Sequence, residues 1–204
     1  MSRYTGPRVK IIRRFGQQLP GLTRKSLDRR PYAPGQHGPQ RRRKASDYRT
    51  RLDEKQKLRM NYGVQEAQFR RYITKASRSK GDTGVRLLQL LEGRFDNVVF
   101  RAGFAPTIPA ARQLVTHGHM RINGKKVNIP SYQLRPGDVI TLRERSKKID
   151  WIVECTKSPV LVRPSYLEVD AEQLTATFKA LPAQEDVPLQ IQVNLIIEYY
   201  SQRI

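Results

Sequence analysis

Cysteine is nearly absent from this sequence, with Cys155 the only one. That excludes a secreted scaffold held by disulfides and a zinc site built on cysteines. Tryptophan is also single, aromatic residues make up 8%, and 18 acidic residues stand against 39 Lys and Arg. Long hydrophobic runs are lacking as well. Stretches such as 193–200 are short and broken by Asn194 and Glu198, so none reads as a membrane span. The apolar share, 38%, is below that of an ordinary globular domain. The core is therefore expected to be modest, with much of the chain at the surface or against a partner. Residues 1–25 are basic and free of acid, as in a transit peptide. However, Gly6, Pro7, Gly16, Pro20 and Gly21 interrupt any long amphipathic helix there, and no signal-type apolar core follows. The expectation is a soluble chain in a reducing compartment.

What is present in excess is positive charge. The net charge is +21, and a field of that size calls for a polyanion, nucleic acid first. The charge is graded along the chain. Residues 1–80 hold 23 basic and 5 acidic residues, residues 81–150 hold 12 and 6, and residues 151–204 hold 4 and 7. One end is thus suited to a polyanion, and the other to packing or to protein.

Residues 1–45 read as irregular, because Pro7, Pro20, Pro31, Pro34 and Pro39 recur among glycines and prevent a long helix or central strand. Two readings stand for this arm: a disordered basic tail, or a segment that becomes ordered on RNA. Tyr4, Ile11, Ile12, Phe15, Leu19, Leu22 and Tyr32 favour the second, and on that reading the fold should survive removal of residues 1–45. A helix is predicted from the Ser46 cap to Gly63. A second runs over about 64–80, with Phe69, Tyr72, Ile73 and Ala76 at helical spacing. Arg59, Arg70, Arg71, Lys75 and Arg78 lie on the opposite faces.

Thr83 and Thr107 cap further short helices, and Pro109 suits a first turn. Asn123-Gly124 between alternating residues is a strong hairpin signal, and Val139–Arg145 alternates as a strand. The tail from Trp151 holds strand-like stretches at Tyr166–Val169 and Ala176–Phe178, then a short terminal helix at Val193–Tyr200. Cys155 reads as a small buried apolar residue, and Asp96 as a structural ion-pair partner. His117 and His119, flanking one glycine and far from His37, make a poor metal site, so no metal or other cofactor is expected.

Certain motifs resemble a known family. Leu91-Glu92-Gly93-Arg94-Phe95-Asp96-Asn97-Val98-Val99 resembles the opening of the RNA-binding module named after small-subunit ribosomal protein four. Thr107, Ala111-Arg112-Gln113-Leu114-Val115, His117-Gly118-His119, Ile122-Asn123-Gly124 and Pro136-Gly137-Asp138 continue it. The flanks resemble the ribosomal family itself: Met1-Ser2-Arg3-Tyr4-Thr5-Gly6-Pro7, Ala33-Pro34-Gly35-Gln36-His37-Gly38, Tyr166-Leu167-Glu168-Val169-Asp170 and Glu198-Tyr199-Tyr200-Ser201. Some members of that family carry N-terminal zinc cysteines, which this chain lacks.

The resemblance implies an α+β fold with three parts. These are an irregular basic arm (1–45), a helical domain (46–91, completed by 156–204), and a compact L-shaped RNA-binding module (92–155) of two short helices and a small antiparallel sheet. It implies a structural, non-enzymatic protein of the small (30S) subunit. Such a protein would bind the 5′ domain of 16S rRNA first and seed assembly of the subunit body. It would lie beside small-subunit ribosomal proteins three, five and twelve and the region where mRNA enters, and would influence translational accuracy. The chain would then be ribosome-bound, in a bacterial cytoplasm or in the plastid stroma.

On this reading the RNA contacts of the module are Arg94, Arg112, Gln113, His117, His119, Arg121, Lys125 and Lys126, with Arg112 and Lys125 exposed. Those of the arm and helices are Arg13, Arg14, Arg41, Arg42, Arg43, Lys44, Arg70 and Arg71. Arginine forks suit phosphate oxygens, and folded RNA is read mainly through shape, backbone and 2′-hydroxyls. A pseudouridine synthase would need a separate catalytic domain, for which too little chain remains. A heat-shock-type RNA chaperone would have little beyond the module. A DNA-compacting protein would not account for the Asn-Gly hairpin or the acidic tail.

Overall fold

Among the described residues, 4–39 and 46–201, the computed structural model has eight α-helices and one five-stranded antiparallel sheet, an α+β fold. The chain forms two compact units: Met1–Gly84 with Leu189–Ile204, and Val85–Pro188.

The first unit is helical. Its first helix, α1 (Arg8–Phe15), fits between Pro7, which needs no N–H there, and Gly16, whose φ of 61° closes the C-terminus. The prolines and glycines thus allow one short helix. Its apolar side, Ile11 and Ile12, is buried, as are Leu19 and Leu22 beyond it. The Gly21 N–H donates to Asn61 Oδ1 at 3.0 Å in the interior. The described part of the arm thus places apolar side chains in the interior, which weighs against the expectation that the fold survives its removal.

Helix α2 (Asp47–Asn61) begins at Ser46, whose side chain accepts from the Arg49 N–H. Helix α3 (Glu66–Ser77) buries the predicted stripe Phe69, Tyr72, Ile73 and Ala76. The terminal helix α8 (Val193–Ser201) packs on α2.

An ionic cluster ties these three helices together. Buried Lys55 of α2 donates to both carboxylate oxygens of Glu66 at 3.0 Å and lies over the Tyr199 ring. The Tyr200 hydroxyl donates to Glu66 Oε1 at 2.5 Å. Burial alone would raise the Glu66 pKa. The hydrogen bonds from Tyr200 and Lys55, with the charges of Lys55 and Arg59, hold it below the ordinary 4.5. A carboxyl depressed on folding contributes stability above its unfolded value and loses it as pH falls through the folded one. Helical circular dichroism, to which both units contribute, should therefore show an acid limb below pH 4.5. Glu66→Gln should flatten that limb; an unchanged acid limb would rule the cluster out as its source.

The second unit opens with most of α4 (Thr83–Glu92), then α5 (Phe95–Arg101) and α6 (Ile108–Thr116). All seven residues of α5 are buried. Its first N–H groups donate to the Tyr132 and Pro130 carbonyls of a loop laid across its start. Thr107 caps α6 by accepting from the Ala110 N–H.

The sheet follows: β1 (Met120–Ile122), β2 (Lys125–Lys126), β3 (Val139–Leu142), β4 (Leu167–Asp170) and β5 (Thr175–Phe178), in the order β2-β1-β3-β5-β4. Asn123 and Gly124 both take positive φ, 49° and 77°, as the mirror-image hairpin turn demands. The Asn123 amide also donates to Asp138 and accepts from the Val139 N–H, locking the turn to β3.

The structure differs from the sequence reading in three places here. Strand β3 ends at Leu142 rather than at Arg145, because Glu144–Ser146 winds into a 3₁₀ turn. A helix, α7 (Asp150–Lys157), stands where none was predicted, and Cys155 on it is half-buried rather than buried. The tail also divides. Strand β5 pairs with β3, so residues through Pro188 belong with the module, and only the last segment joins the helical unit. The physical reason is the edge of β3, whose backbone groups need a partner. The apolar residues Ala176 and Phe178 of β5 are buried in the same unit.

Candidate nucleic-acid interface

In the second unit the module's polar surface is built on α6 and the β1–β2 hairpin. Helix α6 buries Ile108, Ala111, Leu114 and Val115. That orientation leaves Gln113 and His117 exposed and Arg112 at the margin. The hairpin exposes Arg121, Lys125 and Lys126, with Met120 and Ile122 turned inward.

Two of the predicted RNA contacts have a different environment from the one expected. Asp96 is wholly buried, and Arg94, with a side chain 5% exposed, forks onto it at 3.0 and 2.8 Å. Arg112, 26% exposed, donates to Asp96 Oδ2 through Nε at 3.0 Å and Nη2 at 2.7 Å. The Asn97 N–H donates to Asp96 Oδ1. Arg112 is therefore not a simple exposed charge: it is anchored from below by a buried carboxylate. Two guanidiniums share that carboxylate, so the group keeps a net positive charge. Asp96 is the structural ion-pair partner that the sequence suggested.

At the C-terminal end of α6 the backbone closes on itself. The His119 N–H donates to the Leu114 carbonyl and the Gly118 N–H to that of Val115, with Gly118 at a φ of 72°. His117 and His119 then sit with ring centroids 6.2 Å apart. His119 Nδ1 lies 2.9 Å from Ser146 Oγ. Its pKa is lowered below the ordinary 6.5 by burial first, then by the nearby His117 and Arg143. Among the described residues, no group of His, Cys, Asp or Glu is placed to hold a metal ion.

In the first unit, Arg70, Arg71 and Lys75 of α3 and Arg78 at its C-cap line a groove of about 770 Å³ with Glu66, Ala67 and Thr74. The one acid there, Glu66, is already engaged by Lys55 and Tyr200. Arg14 is exposed and 3.9 Å from Asp53. Arg13 is pinned within the arm. Its Nε donates to the Tyr32 carbonyl at 3.1 Å, and its guanidinium lies over the Tyr32 ring at 5.1 Å. Arg41, Arg42, Arg43 and Lys44 fall outside the described residues.

Residues 3–92 match the family described as "Ribosomal protein S4/S9 N-terminal domain", and residues 93–140 match "S4 domain". Small ribosomal subunit protein uS4 of Methylobacillus flagellatus is 53% identical over 205 residues, covering 100% of both chains. The uS4 proteins of Nostoc punctiforme and Synechocystis sp. are 55% and 54% identical over 204 residues, again covering 100% of both chains. This chain belongs to the uS4 family.

The uS4 family is one of structural ribosomal proteins and not of enzymes. The junction between its two matched parts, at Glu92 and Gly93, falls between α4 and α5. The second part ends within β3, so β4, β5 and α7 lie beyond it although β5 completes the sheet. Arg143 beside His119 is absent from the residues singled out in the sequence. The signal was there, in the basic run Arg143-Glu144-Arg145-Ser146-Lys147-Lys148 directly after β3. What places Arg143 against the histidine is its N–H, which donates to the His119 carbonyl at 2.8 Å.

Proposed function

We propose that this uS4 protein binds the 5′ domain of 16S rRNA directly, ahead of other proteins, and nucleates assembly of the body of the small subunit. The observation that carries the reading is the basic face of the module, in a chain that aligns over its whole length with uS4 relatives. Arg121, Lys125 and Lys126 are exposed on the hairpin, and Arg112, Gln113, His117 and His119 lie on or just past α6. On α3, Arg70 and Arg71 provide a second basic face. Arg94 and Arg13 act from within, the first by sharing Asp96 with Arg112 and the second by fixing the arm. Arg14 and the 41–44 cluster complete the proposed set. The neighbours in this reading are small-subunit ribosomal proteins three, five and twelve near the region where mRNA enters, with an influence on translational accuracy.

The purified full chain should bind a transcript of the 16S 5′ domain with no other protein present. Binding that appears only after other proteins are loaded would overturn the primary role. Arg121→Ala with Lys125→Ala removes two exposed hairpin charges. Their contribution to stability is small, about 0–1 kcal/mol each. Binding should weaken, and the log–log salt dependence should become shallower by about 0.7–0.9 per lost phosphate contact. Filter binding at several salt concentrations measures this; an unchanged slope would remove this face from the interface.

A further inference from the structure

The closure of α6 gathers basic side chains that its last carbonyls do not need. Basic side chains at a helix C-terminus commonly satisfy its last carbonyls. Here the N–H groups of His117, Gly118 and His119 already do so. Lys126 lies against this end: a Cβ on Gly118 would meet Lys126 Cε at 2.5 Å and Nζ at 3.3 Å. The lysine stem therefore fills the space left by the glycine, and its ammonium lies beside the residue that separates the two histidines. Arg143 approaches from the segment after β3. Among the described residues, His117, Lys126 and Arg143 form no ion pair. The nearest carboxylate along that segment, Glu144, pairs instead with Lys147 at 2.9 Å. Arg121 and Lys125 add further positive charge on the hairpin. Four groups able to carry positive charge are thus grouped about Gly118 and His119, with no ion pair to any of them among the described residues.

We infer that His117, His119, Lys126 and Arg143 form a phosphodiester-binding cluster that takes up protons from solution when RNA binds. This rests on the reading of the module face as the RNA surface and adds the regulation of that site by pH. In the free protein His119 holds a proton less readily than an ordinary imidazole, first because it is partly buried and then because His117, 6.2 Å away, and Arg143 lie near it. A phosphate seated among them reverses the local field, so the His119 imidazole binds a proton more tightly in the complex. Affinity for RNA must then rise as pH falls through the histidine range. Stability of the free protein moves in the opposite direction. His119 has its pKa lowered on folding, so its contribution is present above the ordinary 6.5 and is lost as pH falls through the folded value. Acidification thus weakens the free module and strengthens the complex, which separates this linkage from general acid effects on the fold.

The test uses the full chain and the 16S 5′-domain transcript at fixed ionic strength. One pK unit on one ring is worth up to about tenfold in affinity, so binding should tighten by about fivefold or more from about pH 8 to about pH 6. Calorimetry near pH 6.5 in two buffers of different protonation heat should count net proton uptake on binding. His117→Gln with His119→Gln should bring that uptake close to zero and remove the extra pH dependence, leaving whatever the RNA itself contributes. If the wild-type protein binds with no net uptake, the proton linkage is wrong, and that measurement needs no variant. A histidine variant whose pH profile and uptake match the wild type also overturns it. If the wild type shows no uptake while Arg121→Ala with Lys125→Ala still weakens binding, the RNA face stands and only the linkage falls. If that hairpin variant binds normally, the face itself is wrong and the inference falls with it.

Discussion

Asp96→Ala should destabilise the second unit by about 3–5 kcal/mol, the range for removing one partner of a buried ionic group. Asp96 is fully buried and accepts from Arg94, from Arg112 and from the Asn97 N–H. Its removal takes away the carboxylate onto which the buried Arg94 guanidinium forks. Arg112→Ala should cost much less, because Arg112 is partly exposed and Asp96 keeps its Arg94 fork.

Trp151, the only tryptophan, lies on α7 in the second unit and is 41% exposed, so its fluorescence follows the surroundings of α7 as that unit unfolds in urea. A local probe is needed because a chain of two units has no single unfolding free energy. The fluorescence midpoint should fall sharply for Asp96→Ala and modestly for Arg112→Ala. RNA binding should fall in both variants, through lost structure in the first and through a lost contact in the second. Equal midpoints for the two variants would mean that Asp96 does not anchor the module.

The sequence was most legible where local chemistry decides structure. Ser46, Thr107 and Asn123-Gly124 each act within a few residues of themselves, and each cap or turn formed as predicted. The apolar stripe from Phe69 to Ala76 needed only helical periodicity. Elements that depend on a distant partner were harder to read. Helix α7 is eight residues rich in β-branched side chains, Ile152, Val153 and Thr156, which reads equally well as a strand. The tail's two strands were visible, but their destination was not. Pairing Val139 with Thr177 is a long-range choice that no local pattern encodes.

The interface was legible as composition and less so as geometry. Arg94 and Arg112 belong to the same motif, yet one is buried and the other sits at the margin of the surface, because Asp96 lies beneath α6. Charge counting cannot tell an arginine that faces a carboxylate from one that faces solvent. The same blindness hid Arg143, which is one of several cations in a run until the turn at Glu144–Ser146 sets it against His119.

Removing residues 1–39 should unfold the first unit while leaving the Trp151 transition of the second in place. The composition of the arm argues for a detachable tail, with nine basic residues and one acid over that stretch. Its apolar residues argue otherwise, and packing decides between them. Ile12 and Leu19 have no exposed surface, and Ile11 and Leu22 have almost none. Burying a large aliphatic side chain contributes about 1.5–3 kcal/mol, so these four together rival the whole stability of a small domain, about 5–15 kcal/mol. The Gly21 N–H on Asn61 adds a buried bond that would be left unmade. Point variants separate loss of packing from loss of charge. Ile12→Ala or Leu19→Ala changes no charge and should cost about 2–5 kcal/mol. Arg8→Ala with Lys10→Ala removes two charges and should leave the melting of helical circular dichroism nearly unchanged, within the small range of surface charges. If the truncated chain keeps the helical signal of the first unit and melts as the full chain does, the arm is an appendage, and its role is confined to RNA. If it loses that signal while Trp151 still unfolds cooperatively, the segment that looked most like a disordered tail is part of the core packed against α2, which it meets through α1 and through the Gly21 N–H on Asn61.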